Sequence, residues 1–100
     1  MDDLIVLIAE TYTINDIGVR VPTETRREVW AHLRSITRAE WRAAGLAGLQ
    51  PALVAEMPSV NYGGEKLAEV KETRYAVYRT YAADDSDMIE LYLEEQAGVR

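Results

Sequence analysis

Leu4-Ile5-Val6-Leu7-Ile8-Ala9, running on into Glu10-Thr11-Tyr12-Thr13, is the stretch from which the fold can be read. Branched residues fill it and its first half is apolar on both faces of an extended chain, so it reads as a β-strand covered on both sides. The apolar run is six residues long, far short of the roughly 20 that span a bilayer. No membrane helix is expected. Asp2 and Asp3 stand where a signal peptide would carry basic residues, and no small-residue cleavage site follows. The expectation is a soluble protein made and kept in the cytoplasm.

Downstream of this strand, Asn15-Asp16-Ile17-Gly18 is turn chemistry and Pro22 opposes a helix, so Ile14 to Thr25 reads as a long loop or extended arm. Arg26 to Ser35 then alternates Val29, Ala31 and Leu33 against Trp30, His32 and Arg34, the period of a half-buried strand. Thr37-Arg38-Ala39-Glu40 has capping-box spacing and predicts a short helix through Trp41, Arg42 and Ala43, stopping near Gly45. Only Arg38 and Arg42 of the arginines at 34, 38 and 42 share its face, because Arg34 precedes the cap.

After the small residues from Gly45 to Gln50, further strands are expected at Leu53–Met57, Glu65–Val70 and Arg74–Tyr81. Tyr62-Gly63-Gly64 and Lys71-Glu72-Thr73 would form the turns between them. A last strand from Met88 to Glu95 sets Ile89, Leu91 and Leu93 against Glu90, Tyr92 and Glu94, after an acidic turn from Asp84 to Asp87. The fold class is mainly β: a small antiparallel barrel of about six strands with one short α-helix, in a single domain over 1–100.

At 100 residues the chain buries only about two thirds of the surface its unfolded form exposes, so its core is thin. With no cysteine there is no disulfide framework, thiolate metal site or cysteine nucleophile. Seventeen acidic against eleven basic side chains give a net charge of −6, which disfavours a general nucleic-acid clamp. Nine of the bases are arginines, five of them between Arg26 and Arg42, while acids dominate from Asp84 to Glu95. Such opposed poles suit head-to-tail contact between copies.

The search for chemistry finds little. Gly63-Gly64 lies between two strands and no Gly-Lys-Ser/Thr follows, so there is no nucleotide fingerprint. A hydrolytic triad would need His32, the one histidine, with Ser35, Ser59 or Ser86, and an ordinary structural role suits it better. One histidine without cysteine also argues against a transition-metal site. Asp84, Asp85 and Asp87 lack the glycine and distal glutamate of a calcium loop and read as a solvated turn. Tyr75, Tyr78, Tyr81 and Tyr92 could stack bases, but in a chain without phenylalanine they serve first as bulky core and rim residues, Tyr75 and Tyr81 on one strand face and Tyr78 on the other. Trp30 and Trp41 are open between core packing and interface anchoring.

Four stretches in order carry a resemblance: Pro22-Thr23-Glu24-Thr25-Arg26-Arg27-Glu28-Val29; Ser35-Ile36-Thr37-Arg38-Ala39-Glu40-Trp41 with Ala44-Gly45-Leu46; Tyr62-Gly63-Gly64-Glu65; and Arg74-Tyr75-Ala76-Val77-Tyr78-Arg79-Thr80-Tyr81 with Ile89-Glu90-Leu91-Tyr92. Their order and spacing resemble the head-tail joining, or head closure, proteins of tailed bacteriophages and prophages. The resemblance implies a non-enzymatic β-barrel protomer without cofactors. Its copies would form a ring between the portal or adaptor protein and the tail or tail-terminator protein. DNA would pass the ring without sequence-specific binding. The chain would then sit in the virion neck, and in the host cytoplasm during assembly. On that reading Asn15, Asp16, Gly18, Arg20 and Pro22 belong to an arm or channel loop, and Arg38, Trp41 and Arg42 form a docking surface for a neighbour. The competing readings are a small barrel that grips single-stranded nucleic acid or a peptide through its tyrosines, and an enzyme built on His32 or a carboxylate pair.

Overall fold

The structure, a computed structural model, describes residues 2–46, 48 and 50–95. Six strands, β1 (Asp2–Ile14), β2 (Arg20–Ser35), β3 (Pro51–Pro58), β4 (Leu67–Val70), β5 (Thr73–Tyr81) and β6 (Met88–Glu95), close into an antiparallel barrel in the order β1-β2-β3-β6-β5-β4. One helix, α1 (Arg38–Leu46), lies between β2 and β3. Among the described residues no helix is long and apolar enough to cross a membrane.

Strand alternation places the core. Ile5 and Leu7 of β1, Val29 and Ala31 of β2, Ala55 and Met57 of β3, Ala68 and Val70 of β4, and Leu91 and Leu93 of β6 meet inside, with Val77 and Tyr75 of β5 packed against them. The outward side of β1 is covered less evenly than its composition suggests: Ile8 is fully buried, whereas Leu4 is exposed opposite the exposed Trp30. A second apolar contact lies outside the barrel, where Val54 of β3, Tyr92 of β6 and Ala44 of α1 are all buried. On the outward face of β6 the helix thus covers Tyr92, whose hydroxyl reaches Glu40 of α1.

Several boundaries differ from the sequence reading, each for a physical reason. Of the two forms expected for Ile14 to Thr25, a long loop or an extended arm, the segment takes the second: Ile14 ends β1, residues 20–25 belong to β2, and 15–19 form the turn between them. Tyr62-Gly63-Gly64 is not a hairpin turn, because β3 pairs with β2 and β6 while β4 pairs with β1 and β5; the segment crosses the end of the barrel after a 3-10 turn at Ser59–Asn61. Glu65 precedes β4 instead of starting it. A bulge at Tyr78 shifts the β5–β6 register between Val77 and Arg79, so Tyr81 pairs beside the outward Glu90 while Tyr75 packs on the core. The two tyrosines therefore lie on opposite faces. The helix passes through Gly45 to Leu46, and Gly48 takes the left-handed conformation (φ +80°). Ala47 and Leu49, in the small-residue stretch, lie outside the described residues.

Candidate functional site

The molecule extends 50 × 30 × 26 Å with a radius of gyration of 15.0 Å, above the roughly 13 Å of a compact 100-residue domain. The excess is the β1–β2 hairpin. Its ladder continues through Ile14↔Arg20, but β4 supports β1 only at Val6–Ile8 and β3 supports β2 only at His32–Ser35. The six pairs from Ala9↔Thr25 to Ile14↔Arg20 therefore form a two-stranded arm reaching roughly 20 Å beyond the barrel at about 3.4 Å per residue.

The arm's turn is held by Asn15, whose Oδ1 accepts the amides of Ile17 (3.1 Å) and Val19 (2.9 Å). The Asn15 amide donates to the Val19 carbonyl and its own carbonyl accepts from Gly18, both at 3.0 Å. Gly18, at φ +83°, supplies the left-handed residue that closes the turn. Arg20 lies over the Tyr12 ring, 4.6 Å from its centroid, and Pro22 sits opposite Tyr12 on the same face. The tip carries Tyr12, Ile14, Ile17, Val19 and Val21 in the open, Ile17 at 82% exposure. Of the five arm residues singled out from sequence, Asn15, Asp16 and Gly18 make the turn, and Arg20 and Pro22 are strand residues of the arm.

The base of the arm is anchored by charge. Arg26 pairs with Glu69 of β4, and Glu24 is reached by Arg74 of β5 at 3.1 Å and by Arg26 at 3.9 Å. Arg27, on the core side of β2, meets the buried Glu65: Nη2 donates to Oε2 at 2.7 Å and Nε to the same oxygen at 3.1 Å. Arg27 Nη2 also donates to the Asn61 carbonyl, the Gly63 amide donates to Glu65 Oε1, and the Tyr62 hydroxyl donates to the Glu65 carbonyl at 2.6 Å. Burial pushes the Glu65 carboxyl up, but the Arg27 and Gly63 hydrogen bonds outweigh it and hold it below its ordinary value. Gly64, at φ +90°, supplies the left-handed residue of the crossing segment.

The second surface is α1, which follows the end of β2 opposite the arm. Its start is the capping box: the Glu40 amide donates to Thr37 Oγ1 (3.1 Å) and Glu40 Oε1 accepts the Thr37 amide (2.9 Å). Glu40 also clamps the helix to the barrel, accepting both terminal nitrogens of Arg34 at 3.1 and 3.0 Å. Arg34 further faces Glu56 and Glu90, each at 3.8 Å. The Tyr92 hydroxyl stands between Glu90 Oε1 (2.8 Å) and Glu40 Oε2 (3.1 Å), and its one hydrogen can serve only one of them at a time. Arg34 thus holds Glu40 at about 2, while burial and the two carboxylates push Tyr92 up to about 12. Glu56 is raised by burial and by Glu90, its partner directly across the ladder.

With Glu40 and Ala44 turned inward, α1 presents Arg38, Trp41 and Arg42 outward, and with Ile36 and Thr37 they line an open concavity of 540 Å³. Trp41 is 60% exposed. Neither Arg38 nor Arg42 makes an ion pair among the described residues, whereas Arg26, Arg27 and Arg34 are all paired. The structure therefore brings the three predicted surface residues together and divides the arginine group into three structural clamps and two uncovered cations.

Two of the residues considered for chemistry, His32 and Ser86, have structural partners. His32 Nδ1 lies 3.1 Å from Asp2 Oδ1, and Ser86 Oγ accepts the Met88 amide. Among the described residues no three His, Asp or Glu side chains are grouped to hold a metal. Tyr78 packs edge-on against Tyr92 at 6.2 Å, and Arg79 covers the Tyr92 ring at 4.6 Å. Sequence reasoning missed the Arg34–Glu40–Glu56–Glu90 cluster, whose one local signal was the Glu40 of the capping box. The chain has no significant match among protein-family models, curated proteins or solved structures.

Proposed function

We propose that the chain is a structural virion protein of a tailed bacteriophage or prophage: a head closure or head-tail joining protein whose copies form a ring between the portal or adaptor and the tail. The observation that carries this reading is a small closed barrel with two uncovered surfaces at opposite ends, an apolar-tipped arm and a helix bearing Arg38, Trp41 and Arg42. An isolated two-stranded ribbon is marginal in water, and a thin-cored protomer with such an arm is suited to burial among neighbours. The resemblance of the four ordered stretches supports the same role, and the net charge of −6 suits a ring past which DNA slides without adhering. The protein is then a resident of the virion neck, assembled in the bacterial cytoplasm, and works without chemistry or cofactor.

Replacing Thr11 to Thr23 by a two-residue Asn-Gly turn tests this role. The shortened protein should fold with an unchanged barrel and fail to support tail-bearing particles. A normal yield of infectious particles would contradict the role. Salt-dependent binding of the intact chain to an oligonucleotide would favour instead the single-strand binding module, working through the exposed Tyr12 and Tyr81, since Tyr78 and Tyr92 are engaged with each other.

A further inference from the structure

Two surfaces are uncovered among the described residues and complement each other. The arm tip exposes Ile14, Ile17, Val19 and Val21 beside a single acid, Asp16, at the turn, while the tip's one cation, Arg20, is laid over the Tyr12 ring. At the other end of the chain's first hairpin, the concavity of α1 places Trp41 and Ile36 between two uncovered cations, Arg38 and Arg42. Because the two surfaces leave opposite ends of the barrel, a protomer cannot seat its own tip in its own concavity. A second copy can.

We propose that the arm tip of one protomer docks into the α1 concavity of the next, with Ile17 against Trp41 and Asp16 between Arg38 and Arg42. The contact is heterologous, so repetition closes into a ring when the rotation per subunit permits. The inference rests on the connector reading for its biological setting, and it names the contact through which copies of the chain meet. It also accounts for the division of the arginines: those that stabilise the protomer are paired within it, and those left open complement the one acid at the tip. Leu4 and Trp30 form another exposed apolar pair, but directly beside it on the same face stand Val6, Glu28 and His32 and no arginine.

The absence of cysteine makes the contact directly measurable. Purified Ile17→Cys and Arg42→Cys proteins, mixed at high concentration and oxidised, should give a mixed dimer about tenfold more abundant than Ile17→Cys mixed with Glu72→Cys, a difference that corresponds to about 1.4 kcal/mol of preference. Equal yields would overturn the proposal, and so would an Ile17→Cys link to Trp30→Cys as abundant as the one to Arg42→Cys. Charge exchange supplies a second readout. Asp16→Arg alone and Arg38→Glu with Arg42→Glu alone should each reduce self-association in sedimentation about tenfold, and a one-to-one mixture of the two should restore it; failure to restore it overturns the pairing. Circular dichroism confirms that each variant is folded.

The same cysteine pair in purified particles separates this inference from the connector reading. A neck ring that contains the chain without the 17–42 link rejects the contact and leaves the role standing. A link formed in solution by a chain absent from particles rejects the role and leaves the contact standing.

Discussion

The two halves of the β1–β2 hairpin share one ladder of thirteen pairs and differ in everything else. From Asp3 to Ile8 the strands belong to the closed barrel, with Ile5 and Leu7 fully buried. From Ala9 onward the strands pair with each other, the barrel reaches them through Glu24, held by Arg74 and Arg26 at the base, and residues 10–25 are all exposed. Backbone hydrogen bonding is continuous across the boundary while packing stops. The net stabilisation of the fold should therefore come from the barrel half, and the arm should be nearly free of cost to change in the isolated protein.

Core truncation tests that contrast most severely. Leu91→Ala in the fully buried core should cost about 3 kcal/mol or more in urea unfolding, whereas Tyr12→Ala on the arm should stay within about 0.5 kcal/mol. Comparable losses would show that the arm is packed in the free protomer and break the comparison.

The clamp between α1 and the barrel comes next in size. Glu40 is held near 2 by Arg34, against an ordinary value of 4.5, so its contribution is complete above about pH 4.5 and is lost as the pH falls through 2. The shift caps that contribution at about 3 kcal/mol, less the screening expected for a side chain 20% exposed. Glu40→Gln should accordingly be less stable than the natural protein at pH 7, with the difference closing as the pH approaches 2. A gap that persists at pH 2 would assign the loss to packing rather than charge.

Glu56 runs the other way. Its carboxyl is raised by burial and by Glu90 across the ladder, so the ionised form costs stability at neutral pH, and the cost is relieved as the pH falls through the raised value towards 4.5. Glu56→Gln should raise stability at pH 7 in urea unfolding, an advantage that fades below pH 4.5. A loss at pH 7 would mean that Arg34 needs the Glu56 charge more than Glu90 repels it.

The smallest effect lies in the β4–β5 turn, where Lys71 (φ 51°) and Glu72 (φ 69°) both adopt the left-handed conformation. Replacing them together by Asn-Gly, the pair this turn favours, should raise stability by about 1 kcal/mol, offset in part by loss of the Lys71–Asp3 contact at 3.8 Å. No change in melting temperature would place the strain elsewhere.

These elements also show what a sequence can disclose. The alternation of Ile89, Leu91 and Leu93 reported an inward face because burial on one side imposes period two, and Thr37 with Glu40 reported a helix start because the capping box is local. The arm strands left no such trace: both faces of residues 10–14 and 20–25 are exposed, so no alternation is imposed, and Pro22 with the turn residues reads as a long loop or extended arm. The Tyr78 bulge changes which face Tyr81 occupies without altering the composition of the strand. Arg27 with Glu65 and Arg34 with Glu90 are brought together by barrel closure, across separations that no local pattern records. Arg38 and Arg42 were legible as one helical face because they stand four residues apart, whereas the exposure of Trp41 had no local signal; that Arg34 belongs instead to a clamp depended on the strand end before Thr37.

The proposed connector role is tested most directly by cryo-electron microscopy of the neck of the tailed particles in which that role would place the chain. The account predicts a ring of small six-stranded barrels between portal and tail, each arm lying against the α1 surface of its neighbour. A neck of intact, tail-bearing particles without density for this chain would contradict it.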